Sequence, residues 1–127
     1  DTISWIPYVE EFRKKHNCQV ICSTFWNHLF ESEYPEIEFS SRGSVVPNIF
    51  ACYRIGWFYK GEEPDYWKVP NHFRFQPMQK TASDVLGLEY REIKPKIKIN
   101  PDIHKENIVT IAIHGTAQSK YWNRQGG

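Results

Sequence analysis

The chain has 127 residues, room for one domain of ordinary size, and its net charge of +1 excludes the strongly basic footprint of a nucleic-acid binder. Aromatic residues make up 16%, so either an aromatic-rich core or a surface normally covered by something else is expected. No apolar run approaches a membrane span and no signal-peptide pattern occurs, which makes a soluble cytoplasmic protein without membrane or nucleic-acid partners the expectation.

Taken in chain order, Thr2 or Ser4 can cap a first helix that runs to about His16. Ile3, Ile6, Val9 and Phe12 recur at helical spacing, and Arg13-Lys14-Lys15-His16 suits the negative end of the helix dipole. Pro7 is tolerated in a first turn, so this helix is predicted to begin close to Ser4. A short strand follows at 19–23, a second helix at 25–32, closed by Tyr34-Pro35, and an alternating strand at 36–40 that stops at Ser41-Arg42-Gly43.

The stretch IFACYRIGWFY (49–59) is apolar and aromatic and reads as a strand with a bulge or bend at Gly56. The excursion KGEEPDYWKVPNHFRFQP (60–77) carries three prolines and interleaves Trp67, Phe73 and Phe75, the composition of an ordered, packed loop. Residues 78–88 form a helix with Leu86-Gly87-Leu88 as its C-terminal cap. YREIKPKIKINP, with two prolines and mixed charge, resembles an inter-domain linker, placed at 90–106. The chain then restarts as a strand at 108–113, a turn and a presumptive helix. Such alternation of helix and strand signals an α/β fold with parallel strands.

In open α/β sheets, ligands bind beyond the carboxyl ends of strands, where the following helices begin. Two places have that character. HGTAQSK follows the strand at 108–113: Gly115 lets backbone approach a ligand, the Thr116 hydroxyl and free helix N–H groups can hold phosphate oxygens, and Lys120 lies one turn along the same face. His114 ends the strand, where it can touch a ligand. By pattern alone this stretch reads either as a capped helix with an exposed lysine or as an anion-binding turn; it is not the GxxxxGK[ST] phosphate loop. Asp1, ahead of the first helix, reads either as a carboxylate favoured by the helix dipole or as a general base in a cleft. His28, His72, Arg54 and Arg74 read as surface or packing residues. Cys18, Cys22 and Cys52 include no CxxC pair, and Cys18 and Cys22 would share one strand face as small buried hydrophobes.

Together, the two ends resemble a known family. DTISWIP (1–7) looks like the Asp-x5-Pro half of the GDxxxxxP signature that opens family 9 glycosyltransferases, the heptosyltransferase family. IHGTAQSKYWN (113–123) resembles its second signature, an H-x-[ST]-type turn followed by Lys-x-Trp. The stretch from YRIGWFY through FRFQPMQKTASDVLGLEYREIKP is similar to the bacterial autotransporter heptosyltransferase branch. The chain opens directly on a helix pattern and ends on Gly126-Gly127 inside another, so an internal fragment is expected.

The resemblance implies part of a GT-B fold. Residues 1–89 would be an acceptor-side Rossmann-like domain lacking its first strand, 90–106 the linker, and 107–127 the start of the nucleotide-sugar-binding domain. It implies inverting transfer of heptose from ADP-heptose to serine hydroxyls of an autotransporter adhesin. Asp1 would be the catalytic base, with Gly115, Thr116 and Lys120 at the donor diphosphate and His114 as a further ligand contact. No cofactor or metal is required for that catalysis; a structural metal in the full-length family would use cysteines outside this chain. A homo-oligomer is an expectation for the full-length protein, and the isolated fragment is expected to be inactive. The competing expectations are a lipopolysaccharide-core heptosyltransferase with a sugar acceptor, and a non-catalytic binding or assembly module of the same fold.

Overall fold

The computed structural model describes residues 1–99 and 107–109. The first element, α1 (Thr2–His16), starts two residues earlier than the proline argument predicts, with Asp1 as its N-cap and Ser4 N–H donating to the Asp1 carbonyl at 2.9 Å. Pro7 therefore sits in the second turn, where its ring nitrogen cannot donate to the carbonyl of Ile3. Ile3 is 43% exposed, so water can serve that carbonyl instead, and the apolar stripe does not run through Ile3. At the other end, Asn17 adopts a left-handed conformation (φ 46°) and the four basic residues of the last turn face the carbonyl end of the dipole.

Helix α1 is buried on two faces rather than one. Ile6 packs with Phe30, Tyr34 and Ile37, joined by Val9, Cys22, Leu29 and Phe39. Tyr8 packs with Ala82 and Leu86, joined by Trp5, Phe12, Ile55, Leu88 and Tyr90. Positions 5, 8 and 12 form one helical stripe, and 6 and 9 form the other. Between the stripes and outward, Glu10 and Glu11 pair with Arg13 and Lys14.

The first cluster holds a minimal α/β unit. β1 (Ile21–Cys22) and β2 (Glu38–Phe39) pair in parallel, Ile21 opposite Glu38 and Cys22 opposite Phe39, as the α/β alternation predicts. The crossover between them is not the predicted helix at 25–32. It contains a 3₁₀ turn, Asn27–Leu29, followed by further turns. The reason is local: Asn27 Oδ1 accepts from both the N–H and the hydroxyl of Thr24 at 2.8 Å, and Thr24 Oγ1 accepts from Trp26 N–H at 3.0 Å. These side chains supply the partners that a longer helix would have taken from backbone.

The aromatic stretch 49–59 is not a strand. Phe50 is fully exposed and residues 49–58 form no ladder; only β3 (Tyr59–Lys60) pairs, antiparallel with β4 (Glu63–Pro64), around Gly61 at φ 65°. Gly56 does sit at a bend, where a Cβ would lie 3.1 Å from the Phe58 ring. The excursion 60–77 is ordered by the buried Asp65, whose carbonyl accepts from the Lys68 and Val69 N–H groups and whose carboxylate pairs with Lys68 at 2.7 Å. Val69 and Phe73 fill the interior, but Trp67 and Phe75 stay exposed, contrary to the packed role expected for them.

α2 (Met78–Val85) closes as predicted on Gly87, at φ 63°. Leu88 N–H reaches the Ser83 carbonyl at 2.8 Å and Gly87 N–H the Asp84 carbonyl at 3.3 Å, the two bonds of a Schellman cap. Trp5 Nε1 donates to the Met78 carbonyl at 2.9 Å, fixing α2 against α1. Beyond the cap, residues 90–98 run as an irregular strap over both clusters. Tyr8 hydroxyl donates to the Arg91 carbonyl at 2.7 Å, Lys96 N–H to the Tyr34 hydroxyl at 3.0 Å, and Lys98 N–H to the Leu29 carbonyl at 2.9 Å. This part of the predicted linker is thus docked on the body. Ile108 and Val109, at the start of the predicted strand 108–113, are exposed, and the rest of that strand lies outside the described residues.

Candidate functional site

The parallel pair aims the carboxyl ends of β1 and β2 at one edge of the unit. α1 turns into β1 within four residues, so it runs back against the strands, and its N-terminus lies toward that same edge. Ile6, in the first turns of α1, touching the cluster that holds Cys22 and Phe39 agrees with this. Asp1 is exposed there, and its side chain makes no cap hydrogen bond to α1. A carboxylate left unspent at a helix N-terminus is available to accept a proton from a ligand. The other predicted site residues, His114, Gly115, Thr116 and Lys120, lie outside the described residues.

The same edge carries a recess that the sequence patterns did not single out. Residues Thr24, Phe25, Asn27, His28, Ser41 and Arg42 line an open volume of about 390 Å³ just past the ends of both strands. Asn27 Nδ2 donates to the Ser40 carbonyl at 2.8 Å, tying the loop after β1 to the loop after β2. Arg42 stacks its guanidinium 3.8 Å from the centre of the Phe25 ring, and Trp26 meets His28 edge to face. The usable signal was polar T-x-x-N after one strand and S-S-R-G after the other, which reads as turn chemistry until tertiary structure brings the two together. His28, dismissed as a surface residue, does line this recess, whereas His72 accepts from the Arg74 N–H and Arg74 donates to the Glu62 carbonyl on the hairpin side.

The cysteines depart from expectation. Cys18 follows α1 outside any strand and is exposed, as is Cys52, so neither is a buried hydrophobe and Cys18 shares no strand face with Cys22. Cys22 alone packs on a core, and burial pushes its thiol up to about 11. Because the thiolate is the reactive form, alkylation of the folded protein is expected to reach Cys18 and Cys52 well before Cys22. Peptide mass mapping over time checks this; equal rates at all three would contradict the packing of Cys22.

No protein-family profile matches the chain. Among curated proteins, it is 34% identical over 127 residues to the autotransporter heptosyltransferase Aah of Escherichia coli and 32% identical over 133 residues to the autotransporter heptosyltransferase TibC of E. coli H10407. The alignments take in 97% and 100% of this chain. The crystal structure of TibC, a dodecameric iron-containing glycosyltransferase, superposes on 96% of the chain with a TM-score of 0.80 at 30% identity. The chain is homologous to the autotransporter heptosyltransferases. It spans about a third of their length, 32% of both Aah and TibC. A second heptosyltransferase structure, TibC with ADP-D-β-D-heptose, matches with the same TM-score of 0.80. One homologous heptosyltransferase, BimC of Burkholderia thailandensis, is inactive, at 29% identity over the whole of this chain. Among the described residues of this chain, no three His, Cys, Asp or Glu side chains converge as a ligand set for a metal such as the iron of TibC.

Proposed function

We propose that this chain is the acceptor-side domain (1–89), the linker (90–106) and the start of the nucleotide-sugar-binding domain (107–127) of a GT-B heptosyltransferase that transfers heptose from ADP-heptose to serine hydroxyls of an autotransporter adhesin in the bacterial cytoplasm. The observation that carries this is the end-to-end match to TibC in sequence and backbone, together with the ADP-heptose that TibC binds. Among the described residues no helix is long and apolar enough to cross a membrane. In this reading the docked strap 90–98 leads toward the nucleotide-sugar-binding domain.

The chemistry asks for two things. The acceptor oxygen must lose its proton as it attacks the anomeric carbon, and the ADP oxygen must leave with the bonding electron pair. Asp1 takes the proton, and attack from the face opposite ADP inverts the anomeric centre. Lys120, the Thr116 hydroxyl and backbone N–H groups opened by Gly115 neutralise the charge that develops on the diphosphate, with His114 beside them. The full-length protein, given ADP-heptose with an adhesin passenger or with a lipid-linked sugar, is expected to label the passenger. Labelling of the lipid alone would sink this reading in favour of a lipopolysaccharide-core enzyme. Lys120→Ala is expected to weaken ADP-heptose binding about tenfold, the scale of one charge-assisted contact, as measured by calorimetry.

A further inference from the structure

The recess past β1 and β2 lies at the edge toward which the N-terminus of α1 runs, yet the donor chemistry above makes no use of it. Its walls are unusual for a surface hollow. The Thr24–Asn27–Ser40 hydrogen bonds hold both loops in place, so Phe25 and Arg42 are presented on a braced frame although Phe25 is 69% exposed. Stacking on Phe25 fixes the Arg42 guanidinium without using its hydrogen-bond donors. Among the described residues Arg42 enters no ion pair, and it lines the recess.

We infer that this braced Arg42–Phe25 recess is the binding subsite for the polypeptide that carries the acceptor hydroxyl, an assignment that rests on the transferase reading above. The shape argues for a polypeptide over a free sugar. Small-molecule sites enclose most of their ligand, and this hollow is open to solvent. An extended chain passes through an open trough and needs contacts on one side only. Arg42 then donates to backbone carbonyls or an acidic side chain, and the Phe25 ring lies against a peptide plane. Glu31, which also lines the recess, would accept from backbone N–H groups.

The test uses the full-length protein and three variants, Arg42→Ala, Phe25→Ala and, as a charge-loss control on the hairpin side, Arg74→Ala. Arg42→Ala and Phe25→Ala are expected to raise the KM for an adhesin passenger about tenfold or more, the usual consequence of losing a hydrogen bond to a charged group. Their affinity for ADP-heptose should match that of the parent protein, and Arg74→Ala should leave the passenger KM unchanged. An unchanged passenger KM in both recess variants overturns the assignment while leaving the transferase reading intact. Equal weakening for a passenger and for a free sugar acceptor also overturns it, because the subsite would then recognise the sugar. Should the parent protein transfer no heptose at all, direct titration with the passenger still decides the point: binding lost in Arg42→Ala supports the subsite, and binding of equal strength overturns it.

Discussion

Changing Asp1 to Asn in the full-length protein is expected to lower heptose transfer by about 10²- to 10⁴-fold, the usual yield of a positioned general base. Binding of ADP-heptose should persist, because in the proposed mechanism the carboxylate would act on the acceptor and other residues would hold the diphosphate. The amide keeps the size of the carboxylate and loses its capacity to take up a proton. Stability should hardly move, since Asp1 is exposed and makes no cap hydrogen bond through its side chain. That separates a chemical role from a structural one. Full activity in Asp1→Asn would overturn the base assignment. Loss of transfer with donor binding retained would support it.

Phe30→Ala should act entirely through folding. Phe30 has no exposed surface, stacks on Phe39 with ring centres 6.5 Å apart, and touches the Ile6, Tyr34 and Ile37 cluster. Its truncation removes a full aromatic side chain and leaves a cavity between α1 and the parallel pair, which costs about 3–5 kcal/mol. Chemical denaturation of the full-length protein measures the loss. The comparison variant is Phe50→Ala: Phe50 is fully exposed, so a change within about 0.5 kcal/mol is expected. A large effect at Phe50 would mean that the aromatic stretch 49–58 is covered in the assembled protein.

Much of this was legible along the chain. The Gly87 cap was, because a Schellman cap needs only a residue that tolerates positive φ after an apolar helix end. The parallel arrangement of 19–23 and 36–40 was also legible, although the ladder shrinks to two residues on each side. The segment 25–32 was not, since Thr24 and Asn27 compete with helix by bonding to backbone nearby, an outcome that helical spacing of Phe25, Leu29 and Phe30 hides. The stretch 49–59 misled in the opposite direction. Its aromatic density suits a strand, but a strand forms only where a partner edge is available, and only Tyr59 and Lys60 find one.

Features that rest on near neighbours were readable in the chain alone: the first helix, the Gly87 stop and the bend at Gly56. The tertiary structure decided what depends on residues far apart in the chain. It made α1 a helix with two buried faces, because α2 and the parallel pair close on it from different sides. It laid the strap 90–98 across Tyr8, Leu29 and Tyr34 through hydrogen bonds that no local pattern encodes. And it joined the loop of Asn27 to that of Ser40, forming the recess of Phe25 and Arg42 from two segments that each look like an ordinary turn, since a parallel pairing delivers the ends of both strands to the same edge.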